Sequence, residues 1–152
     1  MNDLSYFDIS SAKSLFGLIK IVSTSFFTSK EKRPEELFFL IFSLAHLREW
    51  IAPNYCHKNE AKSKGEVFFN TIFENPQYKI ILSLCNHAKH LDIKHITKTE
   101  HNIPFDEWEN IDKVHNFDLG PVSHYFVDEQ DLNTIIQNVI DFYEQEWFFL
   151  SN

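Results

Sequence analysis

Glycine is nearly missing from this chain of 152 residues: there are 3, beside 5 prolines, 2 cysteines and 1 methionine. So few turn formers argue against a sandwich or barrel of many short strands and favour helices. Cys56 and Cys85 make neither a disulfide framework nor a paired Cys-x-x-Cys metal site, and they fit a reducing compartment. With 3 glycines there is no phosphate-cradling loop and no Gly-x-Ser-x-Gly elbow. Arginine, the favoured reader of phosphates and bases, occurs only as Arg33 and Arg48. The net charge of −8 repels nucleic acid at long range, so nucleic acid is not an expected partner. The longest strongly apolar run, Leu37 to Leu47, falls short of the ~20 residues that a membrane span needs. The first residues carry Asp3 and Asp8 and no basic-then-apolar signal pattern. A cytoplasmic protein without a membrane contact is expected.

Aromatic residues, by contrast, are abundant: 16 Phe, 5 Tyr and 3 Trp. A chain of this length buries roughly 68–70% of its unfolded surface and folds without metal or disulfide. One domain spanning residues 1–152 is expected.

Helical periodicity runs from about Asp8 to Phe27, through Ile9, Ala12, Phe16, Ile19, Val22 and Phe26, with Asp8 or Ser10 placed to cap its start. A charged linker, Thr28 to Arg33, comes next. Pro34 opens a second helix, with Glu35 and Glu36 at the positive end of its dipole and Pro53 after its end at about Ala52. Its apolar residues cover every side of the wheel, which predicts a central helix wrapped by protein. Asn54 to Gly65 reads as a loop and Glu66 to Glu74 as a short helix. Asn75-Pro76 caps and opens a helix running to about Leu91, with Tyr78, Ile80, Ile81, Leu84, Cys85, Ala88 and Leu91 on its apolar arc. Between about 94 and 127 the pattern changes to β-branched and aromatic runs, Ile96–Thr99 and Val122–Val127, with Phe105 to Asn116 irregular. A last helix is predicted from Glu129 to Phe149, capped by Asp128, with Leu132, Ile135, Ile136, Val139, Phe142, Tyr143 and Trp147 as its buried stripe. The expected fold is mainly α (α+β): four to five helices around a central buried one, with a small antiparallel β element before the C-terminal helix.

Two constellations are candidates for function. In the Pro34 helix, His46 lies among Phe39, Phe42, Ser43 and Trp50 on the wheel, while Arg48 points the other way beside Leu37, Ile41 and Leu44. A buried histidine needs a partner for a ring nitrogen, and a buried arginine needs a carboxylate or several carbonyls. Both are equally the marks of a satisfied core. In the next helix, Lys79, Ser83, Asn86, His87 and His90 make a polar stripe opposite the apolar arc. It is either a solvated face or a cleft where Asn86, Lys89 and His90 meet a ligand or a second subunit. His87, His90, His95, His101, His115 and His124 have no HExxH spacing and no acidic partner at helical spacing, so no metal and no cofactor is expected. Cys85 falls on the apolar arc and reads as an inert core thiol.

The succession His46-x-x-x-Trp50, then Asn86-x-x-Lys89-His90, then short strands and the Asp141-Phe142-Tyr143-Glu144 stretch resembles small bacterial proteins with helical cores of the HEPN type. It covers the chain from about Pro34 onward. The resemblance implies a helical core and a dimer. It does not carry over ribonuclease activity, because the Arg-x(4–6)-His signature is absent: His57 is nine positions beyond Arg48. The small size and the Phe- and Lys-biased composition also resemble proteins of integron gene cassettes.

A binding or interaction module acting as a homodimer is therefore expected, with His46, Trp50, Asn86, Lys89 and His90 as its polar site and a protein or small ligand as its further partner. The apolar tail Trp147-Phe148-Phe149-Leu150 either supplies the interface or tucks into the monomer core. The alternative is a divergent HEPN-like RNA-acting enzyme, with His90 as acid/base, Lys89 on phosphate and Asn86 as orienter.

Overall fold

The computed structural model describes residues 9–90, 96–101, 122–127 and 129–149. Among them, the elements run in the order α1 (Ala12–Thr28), α2 (Pro34–Ile51), α3 (Lys64–Phe73), α4 (Pro76–His90), β1 (Ile96–His101), β2 (Val122–Val127), β3 (Gln130–Asp131) and α5 (Leu132–Tyr143), with a π-helical turn at Glu144–Phe148. The fold is mainly helical, with a small antiparallel sheet before the C-terminal helix, as the sequence predicts.

Local signals explain most of the boundaries. α1 starts later than the periodicity implies, because its cap is Ser11 rather than Asp8 or Ser10. The Ser11 hydroxyl accepts from the Ser14 backbone N–H at 3.1 Å, and the Ser14 hydroxyl accepts from the Ser11 N–H at 3.0 Å. This is a capping box in which serine replaces the usual Glu or Gln. Pro34 occupies the first position of α2 as expected. α3 begins at Lys64, two residues before the predicted Glu66. Here Ser63 caps the helix, and the Glu66 carboxylate accepts from the N–H groups of Ser63 and Lys62 at 3.1 and 3.0 Å. Asn75 caps α4 by accepting from the N–H groups of Gln77 and Tyr78 at 2.9 and 3.1 Å.

The sheet has the order β1-β2-β3. Ile96 pairs with Val127 and His101 with Val122, and β3 returns along β2 with Val127 opposite Gln130. Glu129 takes a left-handed conformation, φ 67°, at the tight reversal into β3. The chain therefore enters a third strand before α5. Asp131, not Asp128, is the cap, accepting from the Asn133 N–H at 2.8 Å. The Phe105–Asn116 stretch lies outside the described residues.

α2 is the hub, touching α1, α3, α4 and α5. Leu40, Leu44 and Leu47 are fully buried, and Ile19, Phe26, Ile72, Ile81, Ile135 and Ile136 close around them. Two wholly buried tyrosines lock the arrangement. Tyr78 of α4 donates its hydroxyl to the Ala45 carbonyl at 2.6 Å, and Tyr143 of α5 donates to the Leu44 carbonyl at 2.8 Å. One expectation is overturned: α2 is not wrapped on every side. Phe38 is 55% exposed and Trp50 42% exposed, with Phe42 and His46 half-buried between them. These residues recur at four-residue steps along one face of the helix. The four contacting helices close over the opposite arc. On this face the Phe38 and Phe42 rings meet at 4.4 Å, and Phe42 also packs against the core.

The end of α5 also differs from the predicted continuous helix. After Tyr143 the backbone widens, with the Phe149 N–H reaching the Glu144 carbonyl at 2.7 Å. A π-turn inserts one extra residue per turn and rotates the side chains beyond it about the helix axis. Trp147 and Phe148 thereby both turn inward, against Phe68 at 5.5 Å and in a parallel stack on Phe16 at 4.3 Å. Phe149 is left 72% exposed. Most of the aromatic tail therefore tucks into the monomer, and one phenylalanine does not.

Candidate functional site

His46 sits where α2 faces α4. Its Nδ1 lies 2.8 Å from the Phe42 carbonyl one turn back, an acceptor to which Nδ1 donates a proton. The ring is parallel to Phe42, with centroids 6.2 Å apart, and the buried Cys85 Sγ is 3.9 Å from Nδ1. The expected Phe42 contact is present, and the contact with Cys85 is one that the helical wheel of α2 alone does not show. His46 is half-buried, not enclosed. Trp50 stands partly exposed one turn further along the same face. Asn86, next to Cys85 on α4, is exposed. The backbone of Lys89 and His90 belongs to the end of α4, but their side chains lie outside the described ones. So do those of His87, His95, His101, His115 and His124. The structure thus joins His46 to α4 through Cys85, and no hydrogen bond among the described residues links it to Asn86. Among the described residues no group of three His, Cys, Asp or Glu side chains converges on a point that would hold a metal.

Arg48 corrects a second expectation. It is buried, but among the described residues no carboxylate and only the Phe69 carbonyl meets it. Its guanidinium stacks on Phe69 with its central carbon 3.9 Å from the ring centre, and lies 5.3 Å from the Tyr78 ring and 5.5 Å from that of Phe73. Nη1 donates to the Phe69 carbonyl at 3.3 Å, while Nε has no acceptor among the described residues. The charge is held mainly by aromatic faces, which attract a cation through their quadrupole. Burial pushes the hydroxyl of Tyr78 well above the ordinary tyrosine range, against the opposing pull of Arg48; burial, reinforced by Tyr78, does the same to Tyr143. Both hydroxyls are held as protonated donors to the α2 carbonyls, which suits fixed struts.

The surface carries a feature that sequence reasoning missed. Between α1 and the π-turn runs a shallow groove lined by Lys13, Phe16, Gly17, Lys20, Glu144, Phe148 and Phe149. Lys20 and Glu144 pair across it at 2.5 Å. Gly17 is exposed, and a Cβ there would meet no atom within 4 Å. One turn on, Ile21 is 69% exposed. Glycine in mid-helix was the available signal, since it costs roughly 0.5–1 kcal/mol relative to alanine and calls for a reason.

Among the described residues no helix is long and apolar enough to cross a membrane. Comparison with protein-family models, with curated proteins and with solved structures finds no match to this chain.

Proposed function

We propose that the chain is a non-enzymatic binding module that acts as a cytoplasmic homodimer. The observation that carries this reading is the division of labour between buried and exposed groups. Side chains capable of chemistry in the core are already engaged: His46 on the Phe42 carbonyl, Tyr78 and Tyr143 on α2 carbonyls, and Arg48 on aromatic rings. Meanwhile Ile21, Phe38, Val67 and Phe149 are each more than half exposed. Apolar surface left in water beyond isolated residues is the usual mark of an interface. The aromatic stretch from Phe38 to Trp50 with His46, and Asn86 beside it on α4, is the place for a protein partner or a small ligand. Sedimentation of the full chain across micromolar concentrations tests the reading; a monomer throughout would refute it.

The alternative, a divergent HEPN-like RNA-acting enzyme, keeps one point in its favour: Asn86, the first member of Asn-x-x-Lys-His, is exposed and within reach of a substrate. The charge of −8 and the missing arginine signature weigh against it. A nuclease assay of the wild type beside His90→Ala separates the readings. Activity abolished by the substitution would favour the enzyme, and equal, negligible activity the binding module. A bacterial gene-cassette origin is proposed on composition and motifs alone.

A further inference from the structure

We infer that Arg48, with the basic groups gathered at the Phe73 ring, forms a binding site for a small oxyanion, a phosphate or carboxylate group, where α2, α3 and α4 meet. The buried cation carries the inference. Arg48 is 8% exposed, and among the described residues its guanidinium makes one hydrogen bond, from Nη1 to the Phe69 carbonyl at 3.3 Å. Nε is buried without an acceptor among them. Nε and Nη2 share the edge of the guanidinium that Nη1 does not belong to. Their N–H groups point in parallel, the fork from which carboxylate and phosphate oxygens accept in pairs. Phe69 covers a face of the guanidinium, with its ring centre 3.9 Å from the central carbon, and the side-on edge is left for an anion.

Packing alone does not call for arginine here. A buried charge without a counter-ion is costly, and an apolar side chain of similar volume ordinarily serves the core as well or better. The aromatic faces offset part of that cost, but they give the N–H fork no acceptor. A cation kept in the core on these terms suits a counter-ion that arrives from outside the chain.

Two further donors stand at the same place. The Lys79 Nζ lies 5.2 Å from the centre of the Phe73 ring and the Arg48 guanidinium carbon 5.5 Å, while the His57 ring is parallel to it at 6.2 Å. These three side chains come from α2, from the segment between α2 and α3, and from the first turn of α4, so the tertiary fold and not a run of charge assembles them. Phe73 is 38% exposed, and His57 and Lys79 are exposed beside it, which gives the cluster a solvent side with Arg48 as its buried member. His57 is outside the helices and can yield to a ligand without breaking one. Two carboxylates border the cluster. Glu74 reaches Lys79 at 3.7 Å in an exposed pair, a contact worth little. Glu49 is exposed, and neither carboxylate meets Arg48.

The test uses the full chain, with inorganic phosphate and succinate as probes, each titrated at constant ionic strength against sodium chloride and read by thermal unfolding. For a site of millimolar affinity, about 20 mM of a bound probe should raise the wild-type melting temperature by about 4–7 °C along a saturating curve. Arg48→Met should fold and show no rise beyond chloride. Arg48→Lys keeps the charge without the fork and should retain less than about a third of the rise. Lys79→Gln, at an exposed position, should weaken the apparent affinity by about three- to ten-fold, and it decides the matter alone should Arg48→Met not fold. A response to phosphate, to succinate or to both identifies the group bound, and each supports the site. No rise over chloride with either probe would overturn it. So would an equal rise in wild type and variants, which is the general effect of excluded anions on any fold. The measurement is independent of association, so its failure and that of the homodimer reading are distinguishable.

Discussion

Replacing glycine by alanine inside a helix ordinarily stabilises it, yet Gly17 and Gly65, the two helical glycines among the described residues, should respond with opposite signs. Gly17 is in the middle of α1 with open space around its missing Cβ. Gly17→Ala should therefore add the full propensity difference, about 0.5–1 kcal/mol. For a domain of this size that is a rise of about 1–4 °C in melting temperature. Gly65 sits in the first turn of α3, where a Cβ would fall 2.9 Å from the Ile51 carbonyl oxygen. That oxygen belongs to the end of α2 and cannot swing aside as a flexible side chain would. α3 must move off α2 by a fraction of an ångström, and it carries the buried Phe68, Phe69 and Ile72 with it. Overpacking of this kind costs about 1–3 kcal/mol, and the first turn recovers less propensity than a helix interior. Gly65→Ala should lose about 1–2 kcal/mol net and melt lower by about 2–8 °C. Urea and thermal unfolding by circular dichroism, at concentrations too low for association, measure both. A Gly65→Ala protein as stable as the wild type would refute the close seating of α3 on α2. A destabilised Gly17→Ala would refute the open face of α1.

Because Arg48 is held by rings and one carbonyl, Arg48→Met should keep stability within about 1 kcal/mol of wild type or raise it, while Arg48→Ala should lose about 2–4 kcal/mol through the void it leaves. Equal losses in urea unfolding would show that the charge itself is required. The raised values of Tyr78 and Tyr143 set a direction for alkaline stability. The folded state retains both protons above pH 10, where the unfolded chain releases them, so their contribution is full below pH 10 and declines as pH rises beyond it. Tyrosinate absorbance should appear for these two residues together with unfolding; ionisation in a still-folded chain would contradict their burial. In a nuclease assay, the binding-module reading expects the same background rate from wild type and His90→Ala.

Signals that act within about four residues were legible. Pro34 and Asn75-Pro76 open helices where the sequence places them, and Leu132, Ile135, Ile136, Val139 and Tyr143 are buried as their period implies, with Phe142 half-buried. The Ser63–Glu66 capping box was equally local, and the break expected at Gly65 obscured it. Ser11–Ser14 departs from the usual form of that box, so its pattern did not stand out. Asp131 as the cap depends on β3, which exists only because β2 is there to pair with it.

The candidate site was less legible. His46 was correctly placed beside Phe42, but its contact with Cys85 joins residues 39 positions apart. A run such as Leu37 to Leu47 states that apolar surface will be buried, but not from which side. The tertiary structure decided that four helices close over one arc of α2 and leave Phe38 and Trp50 outside. It also decided that Arg48 meets rings instead of a carboxylate, and that Phe149, just past a π-turn, stays exposed while Phe148 is stacked on Phe16. Sequence alone determined the helices and their order, because backbone hydrogen bonds, caps and period are set by near neighbours. The faces they expose were settled only by packing, because coverage of a side chain depends on which distant segment arrives beside it.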